Sequence, residues 1–411
     1  MTSTPQRQHV AIVGAGPAGL ALACALADAG LGVRVLEQQP LAALESPADD
    51  GREIAVTHRS RRVMERLGLW DAIPADAIAP LREACVLDGE RTQALRFEPG
   101  AGQSGPLGWL LPNHRIRAAA LHAVTKRPSI RLQCGARVTA LALGPHRASV
   151  TLEGGERIDS ALVVAADSRF SNTRRLAGIG ASLRDFGRSV VVACMAHERP
   201  HHGSAWECFR YGNTLALLPM NGDRSSVVIT VPADEAPRWL AMPEDEFSRR
   251  ITAQAGGRLG AMTLAGERHH YPLVGVYAHR FAAQRIALVG DAAVGMHPVT
   301  AHGWNFGLYG VEVLAREVGA ALLRGRDIGD RAVLEAFERQ HRRATGPIYR
   351  GTNALVALFT DERPAARLAR QAVIDMSTRV PVLNGLVQKL VRRQLTGGLP
   401  ATLQTPEEMT P

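Results

Sequence analysis

Residues 9–37 read HVAIVGAGPAGLALACALADAGLGVRVLE, and the fold turns on this stretch. His9-Val-Ala-Ile-Val13 is a short apolar strand, Gly14-Ala-Gly16-Pro-Ala-Gly19 a glycine turn, residues 20–29 a helical run and residues 33–37 a second strand. The pattern predicts a βαβ unit with G-x-G-x-x-G at its first turn and an acid, Glu37, about 20 residues on. Gly14 permits the tight turn, Gly16 lets the backbone approach a pyrophosphate, and Gly19 lets helix and strand pack closely. The helix N-terminus then offers free N–H groups and a positive dipole end to the phosphates. Glu37 is placed to accept from the ribose hydroxyls of an adenosine. The competing reading is a glycine-rich turn with no ligand. Strand, helix and spaced acid together favour a dinucleotide site, and the motif occurs once.

The remaining composition narrows the class. At 411 residues and 46% hydrophobic content the chain can build two or three domains around a substantial core. No apolar run reaches the ~18 residues of a membrane span. The apolar N-terminal stretch is broken by glycines and has no basic leader, so it reads as structure and not as a signal peptide. Cys24, Cys85, Cys134, Cys194 and Cys208 are scattered, with no C-x-x-C and no metal-ligand spacing. A reducing cytoplasmic setting is expected, with no metal, and a dithiol reductase is disfavoured. The net charge is +9, and Lys126 and Lys389 are the only lysines. Such arginine bias is often a coding signature, and no nucleic-acid partner is expected from it. Between Arg339 and Arg393, however, eleven basic residues face three acids, so nearly the whole excess sits in one C-terminal segment.

Two further corners give the glycine motif its context. Residues 161–174, ALVVAADSRFSNTR, form an apolar strand ending at Asp167. Residues 286–308 run IALVGDAAVGMHPVTAHGWNFGL, a strand, a tight Gly290-Asp291 turn and a bent loop opening a helix near Gly303. Together the three corners resemble the para-hydroxybenzoate-hydroxylase-type FAD-dependent monooxygenases, over about residues 8–340. The late motif, Gly290-Asp-Ala-Ala through Pro298, Gly303, Asn305 and Gly307-Leu, is most similar to that of the ubiquinone-biosynthesis hydroxylases. The resemblance implies cofactor contacts at Gly14, Gly16, Ala18, Gly19 and Glu37, and an arginine reaching the flavin from Asp50-Gly-Arg52. It further implies a polar contact from Asn113, a backbone contact from Val138 to the adenine, and Asp167 in the middle motif. Asp291 would bond a ribityl hydroxyl, Pro298 would border the ring, and the loop through Gly303 and Asn305 would present N–H groups to the flavin. Departures are Ala165 and Ser168 for glycine, Val294 for histidine, His302 for glutamine or glutamate, and Gly310 for aspartate.

The expected architecture is α/β: a discontinuous Rossmann-like FAD-binding domain (1–72, 105–185 and 276–338), a mixed-sheet substrate domain (73–104 and 186–275) and a basic helical C-terminal segment (339–411). In the family resembled, NADPH or NADH reduces FAD, and O2 then supplies one oxygen to an electron-rich ring, here a polyprenylated phenol. The protein must bind the ring, exclude water and stabilise charge. No base for the phenol stands out; His297 and His302 are weak candidates whose other reading is loop architecture. Met195, Trp206, Phe209, Met220 and Trp239 line a pocket or serve as ordinary core. Residues 380–395 form an apolar stripe edged by Lys389, Arg392 and Arg393, suited to docking on the protein itself or to a peripheral membrane or biosynthetic-complex contact. Rival readings are a hydroxylase of a small soluble aromatic compound, a prenyl-chain reductase, and a non-catalytic FAD-binding protein. A flavin halogenase is disfavoured, because neither lysine sits suitably and its W-x-W-x-I-P stretch is missing.

Overall fold

The computed structural model describes residues 9–88, 94–99, 105–209, 213–296, 303–360 and 363. A six-stranded sheet organises the first layer. Its order from one edge is Ala282–Ala283, Ile286–Leu288, Leu162–Ala165, His9–Val13, Gly32–Leu36 and Ile130–Gln133. All neighbours run parallel except the two-residue edge strand. Val10, Ile12, Val35, Val163, Val164 and Leu288 are fully buried, the continuous apolar pattern of strands covered on both faces.

The glycine-turn helix, Pro17–Asp28, begins three residues before the expected run. Gly16 is its N-cap and Pro17 takes the first helical position, where a missing N–H costs nothing. Leu20, Leu22 and Leu26 are inaccessible to solvent, each contributing on the order of 1.5–3 kcal/mol. This helix packs beside Gly303–Leu323, and that helix packs in turn against Arg331–Thr360.

The second layer is an eight-stranded mixed sheet. Its order is Val294–Gly295, Met262–Ala278, Ala181–His197, Arg224–Pro232, Thr214–Pro219, Ser204–Phe209, Glu83–Asp88 and Leu95–Phe97. One face buries Val191, Met195, Cys208, Leu217 and Ile229 against Trp239, Phe247 and Ile251 of two short helices. Met195 and Trp239 therefore belong to this core, and Trp206 packs at its margin. The expected strands at 189–195 and 226–231 are parts of longer ones, and Thr214–Pro219 is found as read.

The expected divisions at 185/186, 275/276 and 338/339 fall inside continuous elements: Ala181–His197, Met262–Ala278 and Arg331–Thr360. At the first, the register slips between Asp185 and Ser189, and Gly187 adopts φ 63°, which a side chain would resist. Basic stripe 380–395 lies outside the described residues, as do His297, Pro298 and His302. Among the described residues no helix is long and apolar enough to cross a membrane.

Candidate cofactor and substrate site

The three sequence corners converge because their strands are neighbours. His9–Val13, Leu162–Ala165 and Ile286–Leu288 are adjacent and parallel, with Val13 opposite Ala165 and Ala165 opposite Leu288. The turns after them therefore open on one carboxyl edge of the sheet, where open α/β sheets bind ligands.

At the first corner the glycines divide their labour. Gly14 has φ 106°, and a Cβ there would lie 2.6 Å from the Ala166 carbonyl oxygen. A Cβ on Gly19 would lie 2.1 Å from the Gly14 carbonyl oxygen. A Cβ on Gly16 would meet nothing within 4 Å. Two glycines are thus demanded by the protein's own packing, while the third faces open space at a helix N-terminus. Glu37 accepts the Ala15 N–H at 2.7 Å and the Gln39 N–H at 2.9 Å. It holds the glycine turn in place, and its remaining lone pairs stay open to a ligand.

At the second corner Asp167 turns inward on its own chain. It accepts from the Ser171 hydroxyl, the Thr173 N–H at 2.9 Å and the Thr173 hydroxyl at 2.9 Å. Ser171 caps the short helix Asn172–Leu176 through the Arg174 N–H. Asn172 donates to the Val138 carbonyl at 3.4 Å, which ties Val138 to this corner. Ser168, where the resembled family has glycine, takes φ 94°, so the glycine conformation persists without the glycine.

At the third corner Gly290 adopts φ 59°, and a Cβ there would sit 3.0 Å from the Ala18 methyl. Ala18 thus serves the fold by letting this turn approach the glycine-turn helix. Asp291 pairs with Arg169 at 3.1 Å. Arg174, only 4% exposed, donates to the carbonyls of Ala292 at 2.9 Å and Arg169 at 3.1 Å, clasping the second and third corners together. Burial lowers its pKa from the ordinary arginine value.

The helix Gly303–Leu323 starts beside these turns, and a Cβ on Gly303 would meet nothing within 4 Å. The buried Trp304 indole N–H has no partner among the described residues. Asn305 spends its side chain on the strand Glu53–Val56, accepting from Thr57 N–H at 3.1 Å and donating to Ala55 at 2.9 Å. Gly310 has a local reason: a Cβ there would lie 2.6 Å from the ring of His341. That histidine is fully buried among Phe281, Tyr309 and Phe337, and burial pulls its pKa down to about 3.

The Asp50–Arg52 segment carries a polar knot. Asp50 accepts from the Arg52 guanidinium at 2.6 Å and from the Asn113 amide at 2.7 Å. The Tyr271 hydroxyl donates to the Asp50 carbonyl at 2.6 Å, and Arg52 lies 5.1 Å over the Tyr271 ring. Burial opposes the Asp50 carboxylate, but Arg52 and Asn113 hold its pKa below the usual range. Arg52 and Asn113 are thus brought together, as the motif reading expects, by an aspartate and a tyrosine whose part was not foreseen.

Two carboxyls, one beside this segment and one on the far strands of the eight-stranded sheet, escaped sequence reading. Glu53 is pushed up to about 8, by burial first and then by Asp49 and Asp50. Glu207, on Ser204–Phe209, is pushed up to about 7 by burial alone. The available signal was weak: a glutamate in an otherwise apolar W-E-C-F run. The cysteines behave as small buried groups: burial raises Cys24 to about 11 and Cys85 to about 12, and all five are free thiols.

Parallel sheet, glycine turn and two acid-ended corners define an FAD-binding protein of the monooxygenase type. Residues 7–348 match the family described as FAD binding domain, and the chain belongs to it. Among its relatives, the ubiquinone hydroxylase UbiM of Neisseria meningitidis is 43% identical over 94% of this chain and 84% of its own length. The ubiquinone hydroxylase UbiL of Rhodospirillum rubrum is 36% identical over 97% and 92%. The fold matches p-nitrophenol 4-monooxygenase PnpA of Pseudomonas putida, with TM-score 0.74 and 20% identity over 95% of this chain and 98% of that one. It also matches PqsL of Pseudomonas aeruginosa, with TM-score 0.74 and 22% identity over 90% and 99%. The protein is an FAD-dependent monooxygenase of the aromatic-hydroxylating group, with NAD(P)H the reductant typical of the family.

Proposed function

We propose that this protein hydroxylates the ring of a polyprenylated phenol in ubiquinone biosynthesis. The observation that carries this reading is the 43% identity to a ubiquinone hydroxylase across nearly the whole chain. The residues present suit FAD, because Gly16 and Gly303 face open space at two helix N-termini beside an orphaned indole N–H. In this reading the backbone at Gly14, Gly16 and Gly19 receives the pyrophosphate, with Ala18 and Gly290 keeping the turns close. Glu37 takes the ribose, Val138 and Asp167 flank the adenosine side, and Asp291 takes the ribityl chain. Arg52, Asn113 and the Gly303–Asn305 turn border the ring system. FAD, once bound, supplies the redox and oxygen-inserting chemistry. The chain's part is to orient the phenol, exclude water and manage its proton.

Purified holoprotein should oxidise NADPH or NADH faster when given a short-chain prenylated phenol, with a hydroxylated product by mass spectrometry. Stimulation by simple hydroxybenzoates and none by prenylated phenols would instead support the small-aromatic reading. A protein retaining FAD yet inert to every phenol would support a non-catalytic role. We also infer a peripheral membrane contact through residues 380–395, since a prenylated substrate resides in the bilayer and each basic residue adds about 1 kcal/mol at an anionic surface. Truncation after Thr378 should leave FAD bound and abolish sedimentation with anionic liposomes at low salt. Full-length protein that ignores such liposomes contradicts this.

A further inference from the structure

The eight-stranded sheet has two unlike faces. The face carrying Cys208, Leu215, Leu217 and Val191 is packed solid. Strand alternation turns Glu207 to the other face, and register defines its row: Glu207 pairs with Ala216, Ala216 with Val228, Val228 with Val192, and Val192 with His269. On its other side Glu207 pairs with Val86. Tyr271 stands two residues along from His269 on the same face, and its hydroxyl reaches the Asp50 carbonyl. A Cβ on Gly51 would come within 2.6 Å of His269. This is therefore the face that looks onto the Asp50–Arg52 segment of the cofactor-binding layer. At its far side Phe209 packs with Val86 and with Leu358 of the helix Arg331–Thr360.

Glu207 is the anomaly on that face. Its row neighbours on both sides are Ala216 and Val86, and among the described residues its carboxyl has no hydrogen-bond or ion-pair partner. An unpartnered carboxylate among apolar side chains costs several kcal/mol, so its retention points to a ligand that supplies the missing donor. The residue is half-buried and its carboxyl oxygens are not sealed from solvent, so it faces a recess and not the packed core.

We propose that the Glu207 carboxylate receives the ring hydroxyl of the phenolic substrate and takes its proton, an assignment that rests on the phenol-hydroxylating reading above. The O–H bond of the phenol breaks and its proton forms the O–H bond of the Glu207 carboxylic acid. The electron pair stays on the ring oxygen, which enriches the ring toward an oxygen electrophile. The acid later returns the proton to the hydroxylated product or to water, so the residue ends as it began. A group near pH 7 is suited to both directions. The ionisable groups on this side include His269 and Tyr271 on one long strand, Arg188 and Cys194 on the other, Arg224 on the strand beside it, and Asp49, Asp50, Arg52 and Glu53 opposite; none of them moves Glu207, whose shift comes from burial alone.

The test uses FAD-loaded Glu207→Gln and Glu207→Asp proteins, with 4-nitrophenol as a probe whose ionised form is yellow. Wild-type protein should bind the probe as phenolate, seen as a difference band below the pH at which the free probe ionises, with binding that rises toward about pH 7 and weakens above it, because the complex keeps the one proton that passes to Glu207. In Glu207→Gln the phenolate band below that pH and the rise toward pH 7 should vanish, turnover should fall about 100-fold, and flavin content should stay unchanged. Glu207→Asp should restore part of both. Glu207→Gln that binds the probe as phenolate, with the wild-type pH profile, overturns the assignment. Wild-type protein that binds neither 4-nitrophenol nor a prenylated phenol overturns the phenol reading itself.

Discussion

Replacing Glu53 by glutamine should change how the stability of the protein depends on pH. Glu53 sits on a strand beside Asp49 and Asp50, and burial together with those two charges raises its pKa from 4.5 to about 8. A carboxyl raised on folding holds its proton in the folded chain and loses it in the unfolded one. Its favourable contribution is thus complete below pH 4.5 and disappears as pH rises through about 8. Each tenfold change in proton affinity is worth about 1.4 kcal/mol, which sets an upper bound near 5 kcal/mol. Partial exposure of the strand edge screens the charges, so about 2–3 kcal/mol between pH 5 and 8.5 is the expected swing. Glu53→Gln removes this titration and keeps the shape. Urea unfolding of both FAD-loaded proteins at pH 5, 7 and 8.5 should show the variant gaining on wild type by that amount as pH rises. The Asp50 shift has the opposite sense but is present in both proteins and cancels in the difference. Parallel stability curves would refute the account of Glu53 as a buried, proton-holding acid.

Two further outcomes follow from the turns. Gly14→Ala should destabilise the fold by about 2 kcal/mol or more, because its Cβ meets the Ala166 carbonyl at a positive φ, whereas Gly16→Leu should fold normally and lose yellow colour; denaturant midpoints and flavin absorbance separate the two. Ser168→Gly should stabilise the protein by about 1 kcal/mol, because Ser168 is held at φ 94°; an unchanged or lower midpoint would mean its hydroxyl matters more than its backbone.

The cofactor layer was legible because its signals are local. A glycine that needs φ 106°, a proline that opens a helix and an apolar run that ends in an acid each declare themselves within a few residues. The right-handed crossover rule fixes the hand of the βαβ unit, but not that Leu162–Ala165 and Ile286–Leu288 line up beside His9–Val13; that order rests on pairing between distant stretches of chain. Glu207 and Glu53 were opaque for the opposite reason. Nothing next to Glu207 in the chain says which face it takes; that depends on pairing with Ala216 and Val86, the latter more than a hundred residues away. The exchange of an expected aspartate for Gly310 was visible, but its cause, the ring of His341 thirty-one residues later, was not. The roles of Asp167 and Asn305 were read as ligand contacts, and the structure gives both a second employment in holding neighbouring turns and strands.

The two 17-residue strands Ala181–His197 and Met262–Ala278 give the molecule a mechanical character. At one end Ala278 lies in the core of the cofactor layer, and at the other Met195 and Met262 lie in the core of the eight-stranded sheet. Bonded side by side, the strands act as a pair of rails that carry load from one core to the other. A hinge between the layers would have to break this ladder, so any opening that admits a long substrate falls to the loops and to the helix ends. A chimera exchanging only the upper sheet would have to cut both rails at matching heights. The register slip at Gly187, where the ladder already gives way, is the natural place for such a splice.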